Sequence, residues 1–128
     1  MSNPVEAERP IILLVEDNST IRNAFGILLE ESGYRVRKTG SGEEALVLAG
    51  QEPPHLVLMD MGLPDMNGLE VTRRLMADPR TNGCRVVALT GHALDTNRDS
   101  CSAAGCIGYL TKPVDTAKLL RLIPGFLA

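Results

Sequence analysis

The sequence predicts one α/β domain in which helices cover both faces of a five-stranded parallel sheet. Short apolar or alternating runs begin near residues 11, 34, 55, 85 and 107, and a segment with helical spacing of apolar residues follows each run. Such a five-fold alternation implies right-handed crossovers. A doubly wound sheet of this size commonly has the strand order 2-1-3-4-5, which is the order we expect here.

The first half of the chain shows the strand and helix signals most clearly. The run Ile11–Val15 is continuously apolar, as expected for a strand buried on both faces. A helix follows and ends near Gly33, a residue that suits the left-handed turn after a helix. Residues 34–37 alternate in polarity, which favours a strand at the sheet edge. The predicted apolar face of this first helix consists of Ile21, Ala24, Phe25 and Leu28.

The second half repeats the alternation with shorter elements. A capping-box pattern at residues 41–44 opens the second helix. The third strand is predicted at residues 56–59, the fourth at 84–89 and the fifth at 107–110. The remaining helices follow these strands: one contains Leu69, Val71, Leu75 and Met76, a weaker one spans 94–104 and ends at Gly105, and the last spans 115–123 and is stopped by Pro124.

Composition narrows the possible classes of protein. The 128 residues fit one domain at 10–128 after a flexible lead at 1–9, and the net charge of -3 argues against direct nucleic-acid binding. No apolar run approaches the roughly 20 residues of a membrane helix. Three cysteines lack CxxC spacing and a secretion signal, which disfavours a zinc site and favours reduced thiols in the cytoplasm.

Polar side chains stand at the carboxyl ends of the predicted strands. Glu16 and Asp17 follow the first strand, Asp60 the third, Thr90 ends the fourth, and Lys112 follows the fifth. In open α/β sheets, ligands bind outside these strand ends where the strand order reverses. We therefore expect the five side chains to converge on one rim of the sheet.

Three clustered carboxylates repel one another, so the rim either raises a pKa or recruits a cation. Oxygen ligands without His or Cys favour Mg²⁺. A carboxylate nucleophile, a divalent metal, a lysine and a hydroxyl suit phosphoryl transfer, with an aspartyl phosphate as the simplest product. Taken singly, Glu16 and Asp17 could be a solvated helix cap, Thr90 a strand-end hydroxyl and Lys112 a surface lysine. Their joint placement favours a site.

With these residues in view, the chain resembles the receiver domains of two-component response regulators over residues 10–123. The resemblance implies a flavodoxin-like doubly wound fold and a phosphoacceptor switch rather than an enzyme that turns over a metabolite. It rests on Glu16-Asp17, on Asp60 with the following MGLPDMNG, on Thr90-Gly91, and on the YLTKP segment from Tyr109 to Pro113.

The resemblance also implies a role for each site residue. Asp60 accepts a phosphoryl group from a histidine kinase or a histidine phosphotransfer protein, and Lys112 pairs with the phosphoryl oxygens. Thr90 donates to the phosphoryl group and Tyr109 changes rotamer in response. The Mg²⁺ ligands are Asp17, Asp60 and the carbonyl of Gly62, with Glu16 acting through water.

Further expectations follow from the resemblance. The Lys112–Pro113 peptide is expected to be cis. The output partner, which the sequence does not name, should dock on the face formed by the fourth helix, the fifth strand and the fifth helix, and the protein should be a monomer or a weak dimer. Gly91 stands where the family often has alanine, and Gly62 and His92 occupy positions that tune dephosphorylation.

Four alternatives stay open at this point. A phosphatase of the haloacid-dehalogenase type would carry a second Asp two residues after the nucleophile, where this chain has Gly62. An FMN carrier would need a Ser/Thr/Gly-rich phosphate loop after the first strand. A phosphate-independent docking module would not need the complete site. Finally, the chain is either a stand-alone receiver or a piece of a hybrid histidine kinase.

Overall fold

The fold was determined from a computed structural model that describes residues 9–91 and 95–128. In the helix that begins at Asp95, side chains are described from Arg98 onward. Residues 1–8 of the predicted lead at 1–9, His92, and the predicted helix start at Leu94 therefore lie outside the described residues.

Five strands alternate with five helices, as the sequence predicts. The strands are β1 (Ile11–Val15), β2 (Arg35–Thr39), β3 (Leu56–Asp60), β4 (Arg85–Thr90) and β5 (Cys106–Thr111). The helices are α1 (Ser19–Glu31), α2 (Gly42–Gln51), α3 (Gly68–Ala77), α4 (Asp95–Ala104) and α5 (Thr116–Leu127).

All strand pairs are parallel and the order is β2-β1-β3-β4-β5, so the predicted doubly wound sheet is confirmed. β2 lies at one edge, in agreement with its alternating sequence, and β5 lies at the other. The central strands β1 and β3 are buried along their whole length. The reversal of strand order falls between β1 and β3, which opens a crevice at their carboxyl ends.

Alternate residues of the strands pack into two separate apolar cores, one on each face of the sheet. Leu13 of β1 packs into the core beneath α2 and α3, whereas Leu14 packs into the core beneath α1 and α5. α4 contacts α3 and β5. Because both faces of the sheet are covered, every side chain of β1 is removed from water, which explains why that strand is uniformly apolar.

The end of α1 follows the chemistry predicted for Gly33. Gly33 has φ of +100°, and its N–H donates to the carbonyl of Glu30. The N–H of Tyr34 donates to the carbonyl of Leu29, and both side chains belong to the same apolar core. These two bonds form a Schellman motif, which requires a left-handed residue at the position of Gly33.

The buried face of α1 differs from the predicted one. Leu29 is buried and Phe25 packs partly against the core, but Ile21 and Ala24 are exposed. The helix packs on β2, where the Lys38 stem occupies the space beside Gly26. Contact with the edge strand turns the helix away from the face that its periodicity predicts.

The prediction that Pro124 stops α5 is wrong, because the helix continues to Leu127. A proline inside a helix removes one backbone hydrogen bond and costs about 3 kcal/mol. Tertiary contacts offset this cost: Phe126 packs in the core and approaches Gly108. The guanidinium of Arg85 donates to the Phe126 carbonyl at 2.7 Å and to a backbone oxygen of Ala128.

Among the described residues, no helix has the length and apolar character needed to cross a membrane.

Gly33→Ala should lower the free energy of unfolding by about 1–2 kcal/mol, because an L side chain at this positive φ is strained while the site itself has open space. Urea titration followed by circular dichroism measures the change. Gly83→Ala is the matched control, since Gly83 also faces open space but lies outside the left-handed range. An equal effect of the two substitutions would contradict the assignment of strain to Gly33.

Candidate functional site

The structure brings the predicted polar side chains to one rim of the sheet. Glu16 follows β1 directly, Asp60 ends β3, Thr90 ends β4 and Lys112 follows β5. Asp60 and Thr90 are buried, whereas Asp17 is exposed. Asp60 is buried because it belongs to a central strand, and its carboxylate emerges where the sheet opens at the crevice.

Lys112 links two of the carboxylates. Its ammonium Nζ lies 3.1 Å from Glu16 Oε2 and 3.1 Å from Asp60 Oδ2. The other oxygen of Asp60, Oδ1, accepts a hydrogen bond from the Gly62 N–H at 2.9 Å. Both oxygens of Asp60 therefore have a donor, which is what a buried charge requires.

The burial of this ion cluster changes the pKa of its members. Burial raises the pKa of the Glu16 carboxyl, the Lys112 ammonium opposes this, and the charge on Asp60 adds to it. For Lys112, burial alone would lower the pKa, but the neighbouring carboxylates of Asp60 and Glu16 outweigh it and raise the pKa. Lys112 therefore keeps its positive charge, whereas ionising Glu16 costs free energy in the folded protein.

The three carboxylates supply oxygen ligands suited to a hard divalent cation. Oxygens of Glu16, Asp17 and Asp60 lie within 4.8 Å of one another. Glu16 Oε2 is buried and has no hydrogen-bond partner among the described residues, with Lys112 as its ion-pair neighbour. An oxygen-only donor set with one under-satisfied buried oxygen fits Mg²⁺ better than a softer metal.

The loop after Asp60 is anchored by Asp65, a contact that sequence reasoning missed. Its carboxylate accepts hydrogen bonds from the N–H groups of Gly42 and Glu43 and from the Ser41 hydroxyl, at 2.9–3.0 Å. These bonds, led by those from Glu43 and Gly42, lower the pKa of Asp65 to about 2. The loop that carries Gly62 is thus fastened to the N-terminus of α2, where a negative charge is favourable.

Lys112 is fixed through its backbone as well as its side chain. Its N–H donates to the carbonyl of Thr90 at 2.7 Å, and the Lys112–Pro113 peptide is cis, as predicted. The backbone therefore holds the end of β5 against the end of β4. This places the ammonium over β4 and within reach of Asp60.

A cleft of about 420 Å³ opens beside Asp60. Besides Asp17, Asp60 and Lys112, it is lined by Thr90 and Gly91, so the glycine noted in the sequence does face the cleft. Gly62 also lines it. The side chain that would act as nucleophile, the cation and the hydroxyl thus share one accessible space with room for a phosphoryl group.

Tyr109 lies in a second groove, which it shares with Arg98 and Ile107. The guanidinium of Arg98 stacks over the Tyr109 ring, 4.5 Å from the centroid, and donates to its hydroxyl. Sequence reasoning identified Tyr109 but not Arg98. A helix of turn-forming residues gives no signal for which of its side chains reaches the strand.

Comparison with known proteins gives a family for this chain. The family model for the response regulator receiver domain matches residues 12–124. A curated relative, the polar-differentiation response regulator DivK of Brucella ovis, is 37% identical over 116 residues, which is 91% of this chain and 94% of that protein.

Two solved structures extend the comparison. The receiver domain of a sensor histidine kinase from Pseudomonas aeruginosa PAO1, with a magnesium ion coordinated in its active-site cleft, is 34% identical with a TM-score of 0.84, covering 93% of this chain and 98% of that chain. A CheY-like response regulator receiver domain from Methanospirillum hungatei is 31% identical with a TM-score of 0.87, covering 94% of each chain.

Glu16→Gln should raise the free energy of unfolding at pH 7 in the absence of divalent cations, because glutamine removes the buried charge while Asp60 remains to pair with Lys112. The raised pKa of Glu16 determines the direction in which the free energy of unfolding changes with pH. Protonated Glu16 favours the folded state below its ordinary value of 4.5, and this contribution is lost as pH rises through the folded pKa. The gain should therefore shrink as pH falls toward 4.5.

Urea titrations of both proteins between pH 7 and pH 4.5 measure this difference. Glu70→Gln is the control: it removes an exposed partner of Arg74, and we expect a change within about 0.5 kcal/mol. A wild-type protein more stable than Glu16→Gln at pH 7, with the difference widening at higher pH, would contradict the assigned cost of the Glu16 charge.

Proposed function

The chain belongs to the response regulator receiver domain family, and on that premise we propose that Asp60 accepts a phosphoryl group from a phosphohistidine of a histidine kinase or a histidine phosphotransfer protein. One observation carries the proposal. The Asp60 carboxylate lies at the mouth of an open cleft, 3.1 Å from a fixed ammonium and within an oxygen cluster suited to Mg²⁺.

The proposed step is a phosphoryl transfer between two side chains. An oxygen of Asp60 attacks phosphorus and forms a new O–P bond, while the P–N bond of the phosphohistidine breaks. The electron pair of that bond stays on the imidazole nitrogen, which takes up a proton to leave as a protonated or neutral imidazole. Little covalent chemistry remains for the protein, so positioning and charge neutralisation dominate.

The residues around Asp60 supply these two effects. Lys112, already 3.1 Å from Asp60 Oδ2, pairs with the phosphoryl oxygens, and the Gly62 N–H orients the carboxylate through Oδ1. Mg²⁺, when bound by Asp17, Asp60 and the Gly62 carbonyl with Glu16 acting through water, would neutralise phosphoryl charge. Thr90, which shares the cleft, donates to the phosphoryl group.

The output is a change of shape rather than a released product. Phosphorylation draws Thr90 toward the phosphoryl group, and Tyr109 then leaves Arg98 and rotates toward the space near β5. α4 and β5 carry the change, so the partner-binding face consists of α4, β5 and α5. This is a shift between two populations, biased by contacts that exist only with the phosphoryl group.

The comparisons support two settings for this switch. A stand-alone regulator is favoured by the match to DivK, of which the chain covers 94%. A receiver piece of a hybrid histidine kinase is the second candidate, because a kinase-derived receiver domain is 34% identical. A phosphate-independent docking role is the weaker alternative, since Asp60, Asp17 and Lys112 are all present.

We also propose that residues 10–128 form the receiver domain after the lead at 1–9. The domain acts in the cytoplasm as a monomer or weak dimer, without direct nucleic-acid binding, and accelerates only its own phosphorylation and dephosphorylation. Gly62 and Gly91 leave the cleft open around Asp60, which favours access of a donor or of water.

Acetyl phosphate with Mg²⁺ should add one phosphoryl group to the wild-type protein, detected as a single mass increment by intact mass spectrometry. Asp60→Asn should abolish the increment, and Asp17→Asn should lower its rate at limiting Mg²⁺ because a direct metal ligand is lost. Asp99→Asn, at an exposed position of α4, is the control and should behave as wild type. Full phosphorylation of Asp60→Asn would overturn the proposed nucleophile.

In the unphosphorylated protein, Arg98→Met should shift the Tyr109 side chain toward the rotamer that we propose for the state phosphorylated at Asp60. An exposed cation–π contact contributes about 0.5–1 kcal/mol, which corresponds to a two- to five-fold change in rotamer populations. NMR of ring-labelled tyrosine measures this directly, because the chain has only two tyrosines and Tyr34 serves as internal reference.

Arg98→Lys, which keeps the charge over the ring, is the matched control and should give a smaller shift. Tyr109 signals that remain at their wild-type positions in Arg98→Met would show that Arg98 does not hold the ring.

A further inference from the structure

Arg22 contacts the backbone of Glu16 and Asp17, in the loop between β1 and α1, and is not one of the residues that line the cleft beside Asp60. Its guanidinium Nη1 donates to the backbone carbonyl of Glu16 at 2.7 Å and to that of Asp17 at 3.3 Å. Arg22 lies in the first turn of α1, where its own N–H donates to the Asn18 carbonyl. One side chain therefore joins the helix to two of the three residues whose carboxylates form the oxygen cluster, Glu16 and Asp17.

The backbone of Glu16 is held from two sides. Its N–H donates to the carbonyl of Thr39 at 3.0 Å, and its carbonyl accepts from Arg22. The side chain is held too, because Oε1 accepts from the Asn18 N–H at 3.3 Å. The carbonyl of Asp17 accepts a hydrogen bond from the same guanidinium at 3.3 Å, which extends this restraint to Asp17.

The loop after β2, which contains Gly40, leaves room for the Arg22 guanidinium. A Cβ placed on Gly40 would lie 2.8 Å from Arg22 Nη1, too close for a real contact, but at an ordinary 3.5 Å from the Asp17 Cα and the Glu16 carbonyl oxygen. Gly40 thus marks the space that Arg22 needs. A Cβ at this position would therefore shift the Arg22 guanidinium.

We propose that Arg22 is a positioning residue for the divalent-cation site, fixing the backbone of Glu16 and Asp17 so that their carboxylates meet Asp60. The inference rests on the proposed metal site and adds a residue to it. Arg22 acts through the backbone and touches neither the cation nor the phosphoryl group.

Two effects of Arg22 on cation affinity have opposite signs, which makes the proposal testable. As a positive charge close to the carboxylates, Arg22 repels a divalent cation, so its removal should tighten binding by Coulomb's law. As a restraint on the ligands, its removal should weaken binding, because partners of metal ligands typically contribute about tenfold or more in affinity. We expect the restraint to dominate.

The experiment titrates Mg²⁺ into the full chain by calorimetry for the wild type and four variants. Arg22→Met removes both the donor and the charge, and should weaken Mg²⁺ binding about tenfold. Arg22→Lys, which can donate to one carbonyl, should restore part of the affinity. Arg73→Met removes an exposed positive charge from α3 and should not weaken binding.

The Gly40→Ala variant tests the position of the Arg22 guanidinium separately from its charge. Its Cβ displaces the guanidinium while the charge stays in the protein, so it should weaken Mg²⁺ binding in the same direction as Arg22→Met. Thermal unfolding of the metal-free proteins is recorded in parallel. A midpoint near that of the wild type together with weakened Mg²⁺ binding separates positioning from general destabilisation.

Arg22→Met and Gly40→Ala that bind Mg²⁺ as tightly as the wild type, or more tightly, would overturn the inference while leaving the metal site intact. A loss of equal size in Arg73→Met would overturn it as well. A wild-type protein that does not bind Mg²⁺ would overturn the proposed metal site and the inference with it. If Arg22→Met fails to fold, Gly40→Ala decides by the same criterion.

Discussion

The structure depends on balancing the negative charge of one carboxylate, that of Asp60, at the end of the buried central strand β3. Asp60 ends β3, whose other residues are apolar and buried, so its charge must be balanced by groups from elsewhere in the sheet. In the order β2-β1-β3-β4-β5, the compensating ammonium comes from β5, two strands away. The long stem of Lys112 and its backbone bond to Thr90 are what allow it to reach Asp60.

The sheet could be predicted from the sequence because β1 and β3 are continuous apolar runs, β2 alternates as an edge strand does, and a segment with helical spacing follows each strand. The differences arise where tertiary contacts override local signals. Pro124 is tolerated inside α5 because Phe126 packs in the core and Arg85 binds the last carbonyls, and neither contact is visible in a helix pattern. The face of α1 is likewise set by contact with an edge strand.

The residues that gather at the candidate site were predictable because each stands at a strand end. Those that hold them in place were not. Asp65 caps a helix more than 20 residues earlier in the chain, and Arg98 reaches a tyrosine on the neighbouring strand. Charged residues in loops and on exposed helices are common, so their type and spacing do not reveal a distant backbone partner. Arg22 belongs to the same class.

The capping of α2 by Asp65 has a consequence for how this domain can be recombined with related ones. The three donors to that carboxylate all lie at residues 41–43, and the acceptor lies in the loop after Asp60. The two segments therefore form one module for chimera design, although they are far apart in the chain. A graft that exchanges residues 60–68 without residues 39–44 would separate the donors from their acceptor, whereas exchanging both preserves the contact.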